Sequence, residues 1–277
     1  KGFLINKVRK PVNYFFFISH FSFSKIVKLE NSFILFPGIG EKTEKKLWKD
    51  GIRHWDNLED STKYSDKIDR HREKARKNLQ VGNETFFKDK LPNKSLWRSY
   101  RNFKENVCFF DIETTGLKPE RNKTTTVSFY RNGESKTLIR GQDLKQEKLE
   151  QEFFESSLLV SFNGKRFDKP FLEKSFGISI ENPHIDLMYL FQRLGYSGGL
   201  KKIEKDLGVE RELEDIDGRE AIKLWKRYNQ HGDKEALDKL VRYNQYDAEN
   251  LQSLLETARD MLIEEVSPEP KWFKANT

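Results

Sequence analysis

A single cysteine, Cys108, excludes an internal disulfide in this 277-residue chain and fits a reducing, cytoplasmic setting. Its place within an apolar stretch marks it for packing and not for catalysis. The chain also lacks any run of about 20 apolar residues, so no helical membrane span is expected. The nearest approach, residues 12–23, holds Tyr14, Phe15, Phe16, Phe17, Phe21 and Phe23 but is broken by Asn13, Ser19, His20 and Ser22. Lys1, Lys7, Arg9 and Lys10 imitate the charged start of a secretory signal, yet no small-x-small cleavage site follows. Residues 1–27 are therefore expected to be a poorly ordered or non-native extension. At 36% apolar, the remainder has enough material for one large core and a small additional unit.

Charge is unevenly placed. Residues 1–106 carry 24 Lys+Arg against 13 Asp+Glu, whereas residues 107–277 carry 27 against 31. A basic front half with interleaved aromatics suits a polyanion, and an acidic back half suits bound cations.

Two carboxylates stand out in the stretch Phe109-Phe110-Asp111-Ile112-Glu113-Thr114-Thr115-Gly116-Leu117. Residues 107–110 read as a buried strand, and period-two alternation puts Asp111 and Glu113 on one face, roughly 7 Å apart. Paired acids repel and resist burial, and a divalent cation is the simplest reason to place them there. Downstream, residues 124–131 and 135–140 flank Asn132-Gly133 as a hairpin, and 145–156 has helical spacing. Residues 158–162 read as a strand parallel to the first, ending in Asn163-Gly164-Lys165-Arg166-Phe167-Asp168. Asp168 thus falls at a strand-to-helix edge, where α/β sheets hold their chemistry. Asp186 is read as a helix cap. Gly198-Gly199-Leu200-Lys201-Lys202 opens a helix whose Lys201 and Lys202 suit a phosphodiester. A long helix over 233–263 carries Leu237, Leu240, Val241, Leu251, Leu254, Leu255 and Leu262 as its core stripe. It also holds Tyr243-Asn244-Gln245-Tyr246-Asp247, with Tyr243 and Asp247 one turn apart on one face.

The front half has its own motif. Pro37-Gly38-Ile39-Gly40-Glu41-Lys42-Thr43 running into a helix resembles a helix-hairpin-helix, whose glycines expose backbone N–H groups to a phosphate. Glu44 stands where such motifs carry a small residue. Residues 61–105 read as charged helices, with Trp97, Tyr100 and Phe103 packing the connector against the next domain.

The three acid motifs, in order, resemble the DEDD exonuclease superfamily, and Tyr243 marks the DEDDy branch. The Gly-Gly-Leu-Lys-Lys-Ile-Glu-Lys-Asp-Leu-Gly stretch is similar to the YprB-like nucleases. The resemblance implies an α/β fold: a ribonuclease H-like mixed sheet flanked by helices over 101–265. A small all-α, helix-hairpin-helix-like region at 28–100 would precede it, and a tail at 266–277 would follow. It further implies a metal-dependent 3′→5′ exonuclease in which Asp111, Glu113, Asp168 and Asp247 hold two Mg²⁺ or Mn²⁺ ions. Tyr243 would orient the attacking water, since a phenol with an ordinary pKa of about 10 makes a poor base. Nucleic acid, DNA or RNA with a single-stranded 3′ end, would be held by Gly38, Ile39, Gly40, Lys42, Thr43, Thr114, Asn163, Lys201 and Lys202. A nucleic-acid-binding module with a spent site and a structure-specific endonuclease remain the alternatives. No membrane and no protein partner is indicated.

Overall fold

The computed structural model describes residues 28–60, 65–209 and 216–267; the expected N-terminal extension 1–27 and residues 268–277 of the expected tail lie outside them. Its centre is a five-stranded sheet of order β3-β2-β1-β4-β5. β1 (Val107–Thr114), β2 (Thr124–Arg131) and β3 (Glu134–Ile139) form an antiparallel meander. Asn132 and Gly133, both at positive φ, make the expected hairpin turn. β4 (Leu158–Ser161) runs parallel to β1, reached through the helix α4 (Gln146–Phe154), and β5 (His184–Asp186) is parallel to β4. β5, only three residues long, gave no readable alternation in the sequence.

The pleat divides β1 between two cores. Cys108, Phe110 and Ile112 join Phe153, Phe171 and Leu172 on the face of α4 and α5 (Asp168–Phe176). Val107 and Phe109 join the opposite face, with the C-terminal leucines of the long helix. Asp111 and Glu113 follow the odd-numbered pattern and face that helix.

α6 (Leu187–Arg193) is capped by Asp186, as expected, and α7 (Leu200–Leu207) begins after Gly199. α8 (Gly218–His231) starts where the Asp217 carboxylate accepts the N–H groups of Arg219 and Glu220. α9 (Lys234–Val266) is 33 residues, about 50 Å at 1.5 Å per residue. Asp233 caps it by accepting Ala236 N–H at 3.0 Å. The predicted leucine stripe is buried, with Val241 only partly so.

The front region is helical: α1 (Glu41–Lys49), α2 (Ser65–Gln80) and α3 (Glu84–Lys90), joined by 3-10 turns at Trp55–Asp60 and Asn93–Ser99. The helix-hairpin-helix expectation is only half met. Gly38 makes a left-handed turn (φ 81°) before α1, but the arm ahead of it is a three-residue 3-10 turn, Leu29–Asn31, and not an α-helix.

Glu44 explains the departure. Its carboxylate, 1% exposed, accepts the N–H groups of Phe33 (2.7 Å) and Ile34 (3.2 Å) and pairs with Arg98 at 2.8 Å. Those amides, which a preceding α-helix would have bonded to its own carbonyls, are tied to a side chain instead. Arg98 lies between the rings of Trp48 and Trp97, 5.7 and 5.4 Å from their centroids. One hydrophobic cluster then runs from Leu29 and Phe33 through Trp97, Tyr100 and Phe103 to Phe109 of β1 and Val266 of α9. The front region is therefore packed onto the sheet's α9 face.

Removing one partner of a buried pair strands the other charge without solvent. Arg98→Met should lower stability by about 3–5 kcal/mol, read from the urea midpoint. Arg98→Met with Glu44→Gln should recover part of that loss.

Candidate active site

Four acids meet where the C-terminal end of β1 passes beneath α9. Asp111, Glu113 and Asp247 each offer a carboxylate oxygen, and the three oxygens lie within 4.8 Å of one another. Asp111 and Glu113 are half-buried, and Asp247 is 6% exposed. Asp168, the first residue of α5, lies outside this tightest trio but is locked to the same strand, because its Oδ1 accepts Ile112 N–H at 3.2 Å. Repulsion couples all four. Burial, then the charges of Asp247, Asp168 and Glu113, hold Asp111 well above the usual carboxylate range. Glu113 is raised in the same way, with Lys201 opposing the shift. Asp168 is pushed up to about 7, chiefly by burial, against the backbone hydrogen bonds it accepts.

Neighbouring groups fix these carboxylates in place. Asn244, fully buried on α9, donates its Nδ2 to Asp111 Oδ2 at 2.7 Å while accepting from Thr126 Oγ1 at 2.9 Å. Strand register puts Thr126 opposite Glu113, so β1, β2 and α9 are pinned together beside the acids. The loop bearing Asp168 is tied from the other side. Asp186 accepts Asn163 N–H (2.8 Å) and Lys165 N–H (3.1 Å) as well as Met188 N–H, its capping bond. Asn163 takes a left-handed φ of 62°, and Gly164 cannot carry a side chain, since a Cβ there would come within 2.1 Å of Ser161 Oγ. That hydroxyl is bonded to His184 Nε2 at 2.7 Å. Burial, with Lys165 and Lys169 nearby, presses His184 down to about 3, so the ring is neutral.

Tyr243 is 5% exposed, one turn before Asp247, and Lys201 Nζ lies 5.5 Å from its ring centroid. Lys201 also donates to the carbonyl of Ile216, linking α7 to the segment before α8. The other residues proposed to hold nucleic acid are scattered. Lys202 pairs with Asp206, and the Thr114 hydroxyl donates to Gly116 O at 2.8 Å. Ile39 is 5% exposed, its side chain belongs to the core, and its N–H donates to Phe36 O at 3.2 Å. Gly38, Gly40, Lys42 and Thr43 sit by α1, where Lys45 reaches Glu265 O at 3.4 Å near the far end of α9. Asp247 and Glu265 are separated by about 27 Å of helix.

The sequence profile of an RNase H superfamily family matches residues 108–259, more than half of the chain. The chain belongs to the RNase H superfamily. The strand order 3-2-1-4-5 described above is the sheet of this RNase H-like domain. Comparison with curated proteins finds no match. Among solved structures the chain is similar to a family B DNA polymerase from the hyperthermophilic archaeon Pyrobaculum calidifontis, at 18% identity and TM-score 0.44. That match covers 58% of this chain and 25% of the polymerase, so the chain spans a quarter of its length. A nuclease in its apo form matches at 20% identity over 60% of this chain and 76% of its own, with a TM-score of 0.45. Brucella melitensis NrnC bound to pGG matches at 21% identity, 64% and 91% coverage, and a TM-score of 0.34. Among the described residues, no helix of this RNase H-like protein is long and apolar enough to cross a membrane.

The raised acids make a pH signature for the metal-free protein. A carboxyl with a raised folded pKa contributes stability that is present below its unfolded value near 4 and lost as pH rises through the folded value, here about 7 for Asp168. His184 acts oppositely below about 6.5, so a variant that retains His184 isolates the acids. In EDTA, Asp111→Asn should melt several degrees above wild type at pH 8, at about 2–4 °C per kcal/mol for domains of 150–250 residues. The gap should narrow at pH 5. Differential scanning fluorimetry decides, and a wild type that is equally stable at pH 8 would contradict the repulsion.

Proposed function

We propose that this protein is a metal-dependent nuclease that removes nucleotides from a 3′ end. The observation that carries the reading is the convergence of Asp111, Glu113 and Asp247 oxygens within 4.8 Å, with Asp168 fastened to the same strand. Such crowding of like charge destabilises a fold unless cations meet it. The donor set is all carboxylate oxygen, which suits Mg²⁺ or Mn²⁺ over softer metals. Four carboxylates, formally −4 when ionised, match the charge of two divalent ions. Bound there, such ions polarise a phosphodiester and acidify a bound water.

The chain's own groups do the positioning. Asp111 is aimed by Asn244, and Asp168 by Ile112 N–H. In this reading Tyr243, one turn from Asp247 and 5.5 Å from Lys201 Nζ at its ring centroid, would hydrogen-bond the attacking water, and Lys201, whose charge reaches Glu113, would meet a phosphate. The Tyr-x-x-x-Asp spacing and its resemblance to DEDDy exonucleases support 3′→5′ polarity and release of nucleoside monophosphates. The excess of basic residues ahead of β1 supports a nucleic-acid substrate.

Incubation with a 5′-labelled single-stranded oligonucleotide and Mn²⁺ should give a ladder shortening from the 3′ end, which a blocked 3′ terminus suppresses. Asp111→Ala and Asp247→Ala should abolish the ladder. Asn244→Ala, which touches no substrate but releases Asp111, should cost about 10–100-fold in rate and be partly rescued by higher Mn²⁺. Cleavage of a circular strand, or equal rates in wild type and Asp111→Ala, would count against the proposal.

A further inference from the structure

The front region carries a charge pattern that the acid site does not use. On α1, Lys42, Lys46 and Lys49 recur at i, i+4 and i+7 and are all exposed. On α2, Arg70, Lys74 and Lys77 repeat the same spacing and are likewise exposed. Residues so spaced share one side of a helix. None of the six is within ion-pairing distance of a carboxylate among the described residues.

Among the described residues, the acids on these helices are engaged elsewhere. Glu41 pairs with Lys94 and Glu44 with Arg98, while Asp69 pairs with Arg72 and Glu73 with Arg76. Among the described residues, the acids of α1 pair with cations of the Asn93–Ser99 turn and those of α2 with Arg72 and Arg76, which leaves an exposed three-residue basic stripe on each helix. A surface kept basic only for solubility has no need of this division, since interspersed pairs serve equally well.

Resting on the nuclease reading above, we propose that these two stripes form a second nucleic-acid contact, a backbone-binding surface for the strand upstream of the hydrolysed end. α1 is docked near Glu265, about 27 Å along α9 from Asp247. A stacked strand rises about 3.4 Å per nucleotide, so about eight nucleotides bridge the two places. Substrates of four nucleotides reach the acids alone, and substrates of twenty engage both. The contact is to phosphate and carries no sequence preference.

Binding is measured first in EDTA, by fluorescence anisotropy of labelled 20-nucleotide and 4-nucleotide single strands, for wild type and for the six-fold Lys/Arg→Ser variant. Wild type should bind the 20-mer with a log–log salt slope of about −4, as six single-strand phosphate contacts predict. The variant should bind at least about ten-fold more weakly, with a slope near zero. Triple variants on α1 or α2 alone should each flatten the slope by about 2, which keeps the test decisive if the six-fold variant does not fold. In Mn²⁺, wild-type KM should be at least about ten-fold lower for the 20-mer than for the 4-mer, a preference the variant loses. A wild-type slope flatter than about −1, or 20-mer binding indifferent to the substitutions, overturns the proposal. Stripe-dependent binding without hydrolysis of either length would leave the surface standing and remove the nuclease reading. Hydrolysis with stripe-independent binding would do the reverse.

Discussion

Like-charge repulsion at the crossing of β1 and α9 is the constraint on which the arrangement depends. Three carboxylate oxygens within 4.8 Å, with a fourth acid on the adjoining loop, raise one another's proton affinity and work against the packing that brings them together. The fold opposes this with well-connected supports. Asn244 and Thr126 pin α9 to β2 beside Asp111, and Asp186 holds the Asn163–Lys165 backbone from which Asp168 emerges.

α9 is what turns a local site into a whole molecule. Its N-terminal half covers the acids and packs against α8, while its C-terminal half shares a core with the front helices through Leu262 and Val266. The buried Glu44–Arg98 pair secures that distant end by supplying the hydrogen bonds that an abbreviated hairpin arm lacks. Site and front region thus lie towards opposite ends of α9, and helix length sets the spacing between them.

Much of this was legible in the sequence because it rests on short-range chemistry. Alternation in residues 107–113 gave the shared face of Asp111 and Glu113, and the four-residue step from Tyr243 to Asp247 gave theirs. Asn132-Gly133 marked its hairpin and Asp186 its cap. What stayed hidden depends on tertiary partners. Asn244 was visible inside its motif, but only the fold shows that its amide bridges Asp111 and Thr126. β5 is too short to show a period, and Gly164 is required by a serine three residues earlier. Glu44 registered only as a departure from a motif, because its reason, Arg98, lies 54 residues away.

If the acid cluster is the proposed divalent-cation site, its raised carboxyl pKa values leave it partly protonated until it is filled. Calorimetric titration of Mn²⁺ into the protein at pH 6.5, repeated in buffers of different ionisation enthalpy, tests it directly. Saturable binding with net proton release is expected, because ligands with raised pKa must ionise to bind. Asp111→Asn should weaken the binding and reduce the proton release. Absence of binding, binding without proton release, or binding unchanged by Asp111→Asn would contradict it.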